Sequence, residues 1–498
     1  MTVQQILKLL DPKNQNLPKI SVDSVSSKYN KVNVLAFQGK EKGLEKEFAC
    51  LKKEKISGKK GELKEVFNGK QILWVQGVGK DEKMTAREIR RLFGKIYLGA
   101  TAGKPKQIAI MCPADWVTLA VLGIHTAALS PSILKTSPTK ESAPEVILID
   151  KSFKAKKAQA EKMIKEGEIM AEGKNVMRVL GALAPNILST EMYASVIKAY
   201  AKQLKVPCQH LTGKQLKKYE LLNAVSEGSE HESQLLILTL HPKNGKTKNA
   251  TAMVGKGLCY DSGGLQGKGV YMKYMKEDMA GSASVLGAIV DIIKNKRNLK
   301  ETTYFLLPLA ENMMGNKAMR ADDVWTAGDG QTVEIINTDA EGRLALADAM
   351  CYVKNNFKNV DKFMTIATLT GSCIIALGET YTGVVCNDEG LKVDVYNSAD
   401  ISGDFIHAAP WDMEYDDNNS PHADIANLGE KDRDAGWIKA GLFLARFLPK
   451  DKDGEYTAKF CHFDIAGSID MKEAGKSWRK KGFSSGVGVG LLSDLLTK

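Results

Sequence analysis

The sequence predicts an α/β protein in two parts: a smaller N-terminal α/β domain at residues 1–170, ending in a long linker helix, and a larger C-terminal α/β domain at 171–498. Three observations carry that expectation. Short aliphatic runs alternate with helical stretches, which argues a largely parallel sheet. A chain of 498 residues exceeds what one ordinary core accommodates. A Lys-, Glu- and Ala-rich stretch at 151–180, with Met163, Ile164 and Met170 interspersed, reads as a long helix joining the parts.

The elements follow in order. Residues 1–11 read as a short amphipathic helix, too short and too polar for a signal peptide. Runs at 32–37, 71–75, 107–111 and 145–149 read as buried strands, with a helix at 86–98 between them. Gly77-Val-Gly-Lys80 follows one strand but lacks the spacing of a phosphate loop, so a turn explains it. Leu183-Ala-Pro-Asn186 ends the linker helix. Beyond it, strands are expected at 234–240, 303–307 and 362–369, and helices at 280–294, 343–354 and 436–447. Pro308 fits the first residue beyond its strand, because proline has no N–H for a sheet ladder. Residues 450–455 form a polar loop.

Composition bounds the class. The hydrophobic fraction is 43% and the charged fraction 26%, as in soluble globular proteins. No apolar run approaches the ~20 residues that span a bilayer. Eight cysteines are scattered without Cys-x-x-Cys pairs, which points to a reduced, cytoplasmic setting and against a zinc finger. The net charge of +11 is uneven. Residues 1–170 hold 31 Lys+Arg against 18 Asp+Glu, a charge of +13; the rest hold 39 against 41, a charge of −2. A solvated basic surface accounts for this, and contact with nucleic acid stays open without a motif to favour it.

The chemistry concentrates at Asn337-Thr-Asp-Ala-Glu-Gly-Arg-Leu344. In an extended segment Asp339, Glu341 and Arg343 would share one face. The Ala- and Leu-rich stretch after them reads as a helix, whose N-terminus favours anions. Such a cluster suggests a bound metal, a bound anion or both; taken alone, a salt-bridged loop would also explain it. It does not stand alone. Upstream lie Val254-Gly-Lys-Gly-Leu-Cys-Tyr-Asp-Ser-Gly-Gly-Leu-Gln-Gly-Lys268 and Met275-Lys-Glu-Asp-Met-Ala-Gly281, which add Lys256, Asp261, Lys268 and Asp278. Among the seven histidines there is no His-Glu-x-x-His pair, which argues against a mononuclear zincin.

Taken together, these blocks resemble the leucyl aminopeptidase family, cytosolic dizinc exopeptidases whose eight-residue signature stands complete at 337–344. The resemblance runs from about residue 175 to the C-terminus. It implies an α/β/α catalytic domain with a mixed central sheet, and a metal-dependent aminopeptidase that releases N-terminal leucine or similar apolar residues. It implies two divalent ions per subunit (Zn, Mn or Mg), with Asp261 and Glu341 bridging them, Lys256 and Asp278 completing the tighter site, and Asp339 the looser one. A ligating lysine must be the neutral amine, since an ammonium has no lone pair. Lys268 would stabilise the oxyanion, and Arg343 would hold a bicarbonate ion serving as general base. Met275, Thr368, Gly371, Ala466 and Ile469 would line the pocket for the first side chain. The family also implies peptides with a free N-terminus as substrates and a homohexamer of two trimers. In one respect the chain departs: nine residues separate Lys268 from Asp278 where the family usually has ten, beside both the oxyanion lysine and a ligand. Two other readings remain: a non-catalytic structural member, and an aminopeptidase that also binds nucleic acid through its basic N-terminal domain.

Overall fold

The computed structural model describes every residue except 39, 41–45, 47, 81–83, 131, 137–141, 430–433, 470–477, 481 and 498, and the side chain of Lys52. The chain forms two compact units. The smaller comprises Asp11–Glu172 and the residues around Trp478; the larger holds Met1–Leu10 and most of the chain from Gly173 onward. The helix Phe153–Ala182 begins in the first and ends in the second, with one non-helical residue at Lys156 (φ −113°, ψ 25°). The expected N-terminal helix is Val3–Leu10; it belongs to the larger unit and buries Ile6, Leu7 and Leu10.

In the smaller unit, β1 (Ile20–Asp23), β2 (Lys31–Phe37), β3 (Leu63–Phe67), β4 (Ile72–Gly79), β5 (Gln107–Met111) and β6 (Glu145–Ile149) form a sheet in the order β1-β6-β5-β2-β4-β3. Neighbours are parallel except β3 and β4. Side chains alternate between two cores. Leu35, Ile108, Ile110, Val146 and Leu148 pack with Phe93, Ile96, Val121 and Ile124 of the helices Ala86–Thr101 and Val117–Ala128. Val32, Val34, Ala36, Ala109, Ile147 and Ile149 pack with Phe48, Leu51 and Ile56. Both faces are covered, which is why these strands read as unbroken apolar runs.

The structure corrects the reading of Gly77-Val-Gly-Lys80. Gly77 to Gly79 lie inside β4, not in a turn after it. The chain at 58–62 crosses Gly77 so closely that a Cβ there would sit 2.1 Å from the Lys59 carbonyl oxygen, so the glycine serves packing rather than turning.

The larger unit is built on a mixed sheet of β7 (Cys208–Thr212), β8 (Gln234–Leu240), β9 (Ala250–Gly255), β10 (Gly257–Asp261), β11 (Thr302–Asn312), β14 (Val360–Ala367), β15 (Thr382–Cys386), β16 (Ile406–Ala408) and β18 (Lys459–Asp464). Its order is β16-β15-β18-β14-β9-β11-β8-β7, with β10 joining β11. A small second sheet contains β12 (Val324–Thr326), β13 (Thr332–Glu334) and β17 (Ile425–Ala426), with β13 and β17 parallel. The helix Gly342–Asn356 buries Leu344, Leu346, Met350 and Val353 in the main core with Val254, Leu306 and Phe363. Each such side chain contributes roughly 1.5–3 kcal/mol of burial.

Pro308 lies within β11, not beyond it. Leu306 pairs with Val254 of β9 and Leu309 pairs with Gly257 of β10, so Leu307 and Pro308 fall where one neighbour gives way to the next. A residue without an N–H costs least at such a break. All eight cysteines are free thiols. Among the described residues, no helix is long and apolar enough to cross a membrane.

Candidate active site

Lys256 sits between β9 and β10 and is held at both backbone ends: its N–H donates to the Ile366 carbonyl at 3.0 Å, and its carbonyl accepts from Ser282 N–H at 2.8 Å. Its stem runs against Gly342, where a Cβ would lie 2.5 Å from Lys256 Cε. A side chain at the glycine of the Glu-Gly-Arg sequence would therefore push the end of this lysine from its place. Lys256 Nζ reaches Asp278 Oδ2 at 2.8 Å, Glu341 Oε1 at 2.9 Å and the Thr368 carbonyl at 3.1 Å.

Asp261 ends β10 opposite Asn312 of β11. Its Oδ1 accepts from Asn312 Nδ2 at 2.8 Å and from Gly263 N–H at 2.9 Å, and its Oδ2 lies 2.7 Å from Lys268 Nζ. Lys268 also contacts Asp339 Oδ1. The bend between Asp261 and Lys268 passes through Gly263 and Gly264, both left-handed (φ +85° and +60°), with Gly264 packed against Asn312 and Thr338. Asp278 follows the 3-10 helix Gly269–Glu277 and accepts from Thr368 Oγ1 at 2.7 Å.

The signature segment is not extended. Residues 337–340 form a turn closed by Ala340 N–H to the Asn337 carbonyl at 3.1 Å, and Glu341 is already helical (φ −79°, ψ −35°). Asp339 and Glu341 reach one cluster through a turn into a helix rather than through strand alternation. Asp339 is fixed by its N–H to Asn337 Oδ1 at 2.8 Å. Arg343, buried in the first helical turn, donates from Nη1 to the Asn427 carbonyl at 2.8 Å and lies over the Phe443 ring. Its Nε has no acceptor among the described residues.

One carboxylate oxygen from each of Asp261, Asp278 and Glu341 lies within 4.8 Å of the others, and all three residues are buried. Burial and the charge of Glu341 drive the Asp261 pKa well up. Burial also raises Asp278, to about 6, against the opposing pull of Lys256. Burial acts on Glu341 too, but Lys256 and Lys268 outweigh it and hold that carboxyl below its ordinary value. Both lysines titrate above their usual range, because the surrounding carboxylates overcome their desolvation. Burial lowers Arg343 to about 10. Glu341 Oε2 is buried and has no hydrogen-bond donor among the described residues. A buried carboxylate oxygen without a donor, amid clustered acids, suits coordination to a cation, so the donor set fits bound metal.

Of the expected site residues, Lys256, Asp261, Lys268, Asp278, Asp339 and Glu341 form one connected cluster, with Arg343 beside it. Thr368 joins it through Asp278 and Lys256. Gly371 begins a short helix, and Ala466 N–H donates to Asp464 Oδ1 at 3.1 Å. Met275 is half-buried in the 3-10 helix, and Ile469 is fully buried. Sequence reasoning gave no role to Asn312, Thr338, Asn427 or Asp464. Asn312 donates to both Asp261 and the Thr338 carbonyl, while the Asn427 side chain accepts from Ile336 and Asn337 N–H. Asp464 accepts from Thr370 Oγ1 and Leu369 N–H, which fixes the 368–371 segment.

A mixed α/β scaffold holding buried carboxylates and lysines in this way suits a metal-dependent hydrolase. The model of the cytosol aminopeptidase family catalytic domain matches residues 175–493. A probable cytosol aminopeptidase of Nitrosomonas eutropha is 37% identical over 449 residues, covering 86% of this chain and 85% of its own. One from Tolumonas auensis is 31% identical over 474 residues, covering 90% and 89%. Among solved structures, a mutant of tomato leucine aminopeptidase is similar in fold with a TM-score of 0.82 at 24% identity, covering 97% of both chains. The bottromycin maturation enzyme BotP in complex with Mn gives 0.78 at 24% identity, covering 94% of this chain and 99% of that one. The chain belongs to the cytosol aminopeptidase family and is an aminopeptidase, a hydrolase of peptides.

Proposed function

We propose that residues 171–498 form the catalytic domain of a dimetal aminopeptidase that releases leucine or similar apolar residues from free N-termini. The observation that carries this reading is Glu341 Oε2, buried and without a hydrogen-bond donor among the described residues, on a residue that clusters its carboxylate with those of Asp261 and Asp278. Asp261 and Glu341 would bridge two divalent ions, Lys256 and Asp278 would complete one site, and Asp339 the other. When bound, the two ions polarise the scissile carbonyl and make water a nucleophile at neutral pH.

The remaining roles fall to the chain. Three carboxylates favour the protonated form of Lys256, so it would hold a metal only as the neutral amine, which nearby dications would favour. Lys268 keeps its charge, held by Asp261 and Asp339 at the more open end, and donates to the developing oxyanion. The Arg343 guanidinium has Nη1 fixed on Asn427 and its Nε without an acceptor among the described residues, which suits two-point binding of bicarbonate as proton acceptor. Met275, Thr368, Gly371, Ala466 and Ile469 are assigned to the first-residue pocket. The family resemblance supports a cytoplasmic homohexamer.

The test is hydrolysis of a fluorogenic leucyl amide by chelator-stripped protein, after restoring Mn, Zn or Mg, with Glu341→Ala alongside. BotP was solved with Mn, which makes manganese the first metal to try. Metal-restored turnover that falls to background in the variant is expected. Full activity of Glu341→Ala would overturn the dimetal assignment.

A further inference from the structure

Two of the eight free thiols face each other across a sheet ladder. Cys386 ends β15 and pairs directly with Cys461 of the antiparallel β18. The next pair outward is hydrogen-bonded, since Asn387 N–H donates to the Phe460 carbonyl at 3.2 Å. Hydrogen-bonded and non-hydrogen-bonded pairs alternate along such a ladder. Cys386 and Cys461 therefore occupy a non-hydrogen-bonded position, where Cα atoms stand about 4.5 Å apart and side chains lie closest. That spacing falls within the roughly 4.4–6.8 Å that a disulfide spans. Side chains directly opposite share one face of the sheet, so the two sulfurs project the same way. In the ladders of the described residues, no other cysteine stands opposite a second one.

The pair is unequal. Both residues are fully buried. The hydrogen bond from Cys461 holds the Cys386 thiol below its ordinary value despite burial, and the charge of Lys392 adds to that. Burial, then that same bond, push Cys461 well up. Cys386 is thus the sulfur that becomes thiolate first, with a protonated Cys461 beside it. The pair also lies close to the surface. β15 ends at Cys386, and β18 begins two residues before Cys461 at the exposed Lys459. An ion pair bridges this end of the strands, with Lys459 Nζ 3.0 Å from Asp388 Oδ1. Such solvent-facing pairs contribute little. Strand ends held this way open locally more readily than a core does, which gives a small oxidant its route.

We propose that Cys386 and Cys461 are a modification site, closing on exposure to hydrogen peroxide into a reversible disulfide that staples β15 to β18. The Cys386 thiolate attacks one peroxide oxygen. The O–O bond breaks, and the hydroxide that leaves takes up the proton Cys386 released, giving water. The Cys461 sulfur then attacks the Cys386 sulfenic acid. The S–S bond forms, the S–O bond breaks, and the departing hydroxide takes the Cys461 proton as a second water. The two thiols lose two electrons and the peroxide gains them. The ladder already supplies the spacing, so closure needs no change of register. It also fixes the strand that carries Asp464, the residue that holds Leu369 N–H and Thr370 Oγ1. The staple therefore steadies the fold under oxidation rather than switching the enzyme off.

The test treats the reduced full chain, freed of reductant, with a few equivalents of hydrogen peroxide. Remaining thiols are blocked with N-ethylmaleimide in denaturant, and the protein is digested without reductant. Mass spectrometry should find the Cys386 peptide joined to the Cys461 peptide, and dithiothreitol should separate them. The Tm of the oxidised chain should rise by about 5 °C, with no rise in Cys386→Ser or Cys461→Ser. Recovery of both cysteines as maleimide adducts after peroxide overturns the disulfide, as does Cys386 recovered as a sulfinic acid with Cys461 unlinked. That measurement needs only the native chain, so it decides the matter even where a variant fails to fold. A fall in Tm on crosslinking, or an equal rise in both serine variants, overturns the stabilising role.

Discussion

The two units use lysine in opposite ways. Residues 1–170, which supply most of the smaller unit, carry a net +13 from Lys and Arg together, and lysines there such as Lys28 and Lys60 face water against Asp23 and Glu88. In the larger one, where Lys+Arg and Asp+Glu nearly balance, several lysines are taken inside and paired. The Lys174 side chain is 2% exposed against Asp404, Lys256 is 3% exposed against Asp278 and Glu341, and Lys268 is 16% exposed against Asp261 and Asp339. A solvated lysine contributes little beyond solubility. A buried one is stable only with its partners, so its placement reveals what surrounds it. Even within the site a gradient separates the enclosed Lys256 from the more open Lys268.

Lys268→Met tests that contrast most severely. It removes a cation whose proposed work is done in the transition state, so kcat should fall about 10²–10³-fold. Bound metal, measured by elemental analysis, should be retained. Loss of metal together with turnover would make Lys268 a structural counter-ion of the carboxylates instead.

The smaller unit also buries an ionisable group, but neutral rather than paired. His125 lies in the helix Val117–Ala128, its Nε2 3.0 Å from the Pro18 carbonyl, and burial lowers its pKa to about 4 despite that hydrogen bond. The folded pKa is below the unfolded one, so the unfolded state binds the proton more readily. The stability His125 supports is present above its unfolded pKa of about 6.5 and is lost as pH falls through about 4, by roughly 3 kcal/mol. Urea unfolding at pH 7 and pH 4.5 should show a steeper acid loss for the native chain than for His125→Gln. Equal losses would mean another group sets the acid sensitivity.

A smaller effect is expected from Asn312→Leu. Asn312 holds Asp261 Oδ1 and the Thr338 carbonyl at once, so its loss frees a carboxylate without removing it. A fall of about 10–100-fold in metal affinity or activity is expected, the usual scale for a residue that orients a ligand. Metal titration followed by activity would measure it, and a change below twofold would show Asp261 to be positioned by its backbone alone.

Asn312 also marks where sequence stops being informative. Lys256, Asp261, Asp278, Asp339 and Glu341 were legible because charged residues in glycine-rich blocks form a pattern. Asn312 carries no charge and lies 51 residues from Asp261; only the pairing of β10 with β11 brings them together. Asn427 is similarly delivered by β17 beside β13. The α/β alternation was readable because both faces of the N-terminal sheet are apolar, whereas β3 (Leu-Lys-Glu-Val-Phe) sits at an edge and mixes charge with exposed Leu63 and Phe67. Alternation misled at 339–343, where spacing alone could not distinguish an extended segment from a turn entering a helix. Pro308 misled because a proline can stay inside a strand where its neighbour changes, and that change is set by distant segments.

The smallest expected effect closes the comparison at the surface. Lys60 Nζ lies 2.7 Å from Glu88 Oε1, a distance like those in the active site, yet the Lys60 side chain is 74% exposed. Glu88 has a second partner in the box at the start of the helix Ala86–Thr101, where it accepts from Thr85 N–H and Thr85 accepts from Glu88 N–H. The cap satisfies backbone donors that the helix cannot, while the ion pair only replaces hydration. Lys60→Ala should therefore cost at most about 0.5 kcal/mol, and Thr85→Ala about 1 kcal/mol, both by urea unfolding at moderate salt. If Lys60→Ala proved the costlier, short distance rather than burial would be what gives a lysine its weight in this protein, and the distinction between the two units would fail.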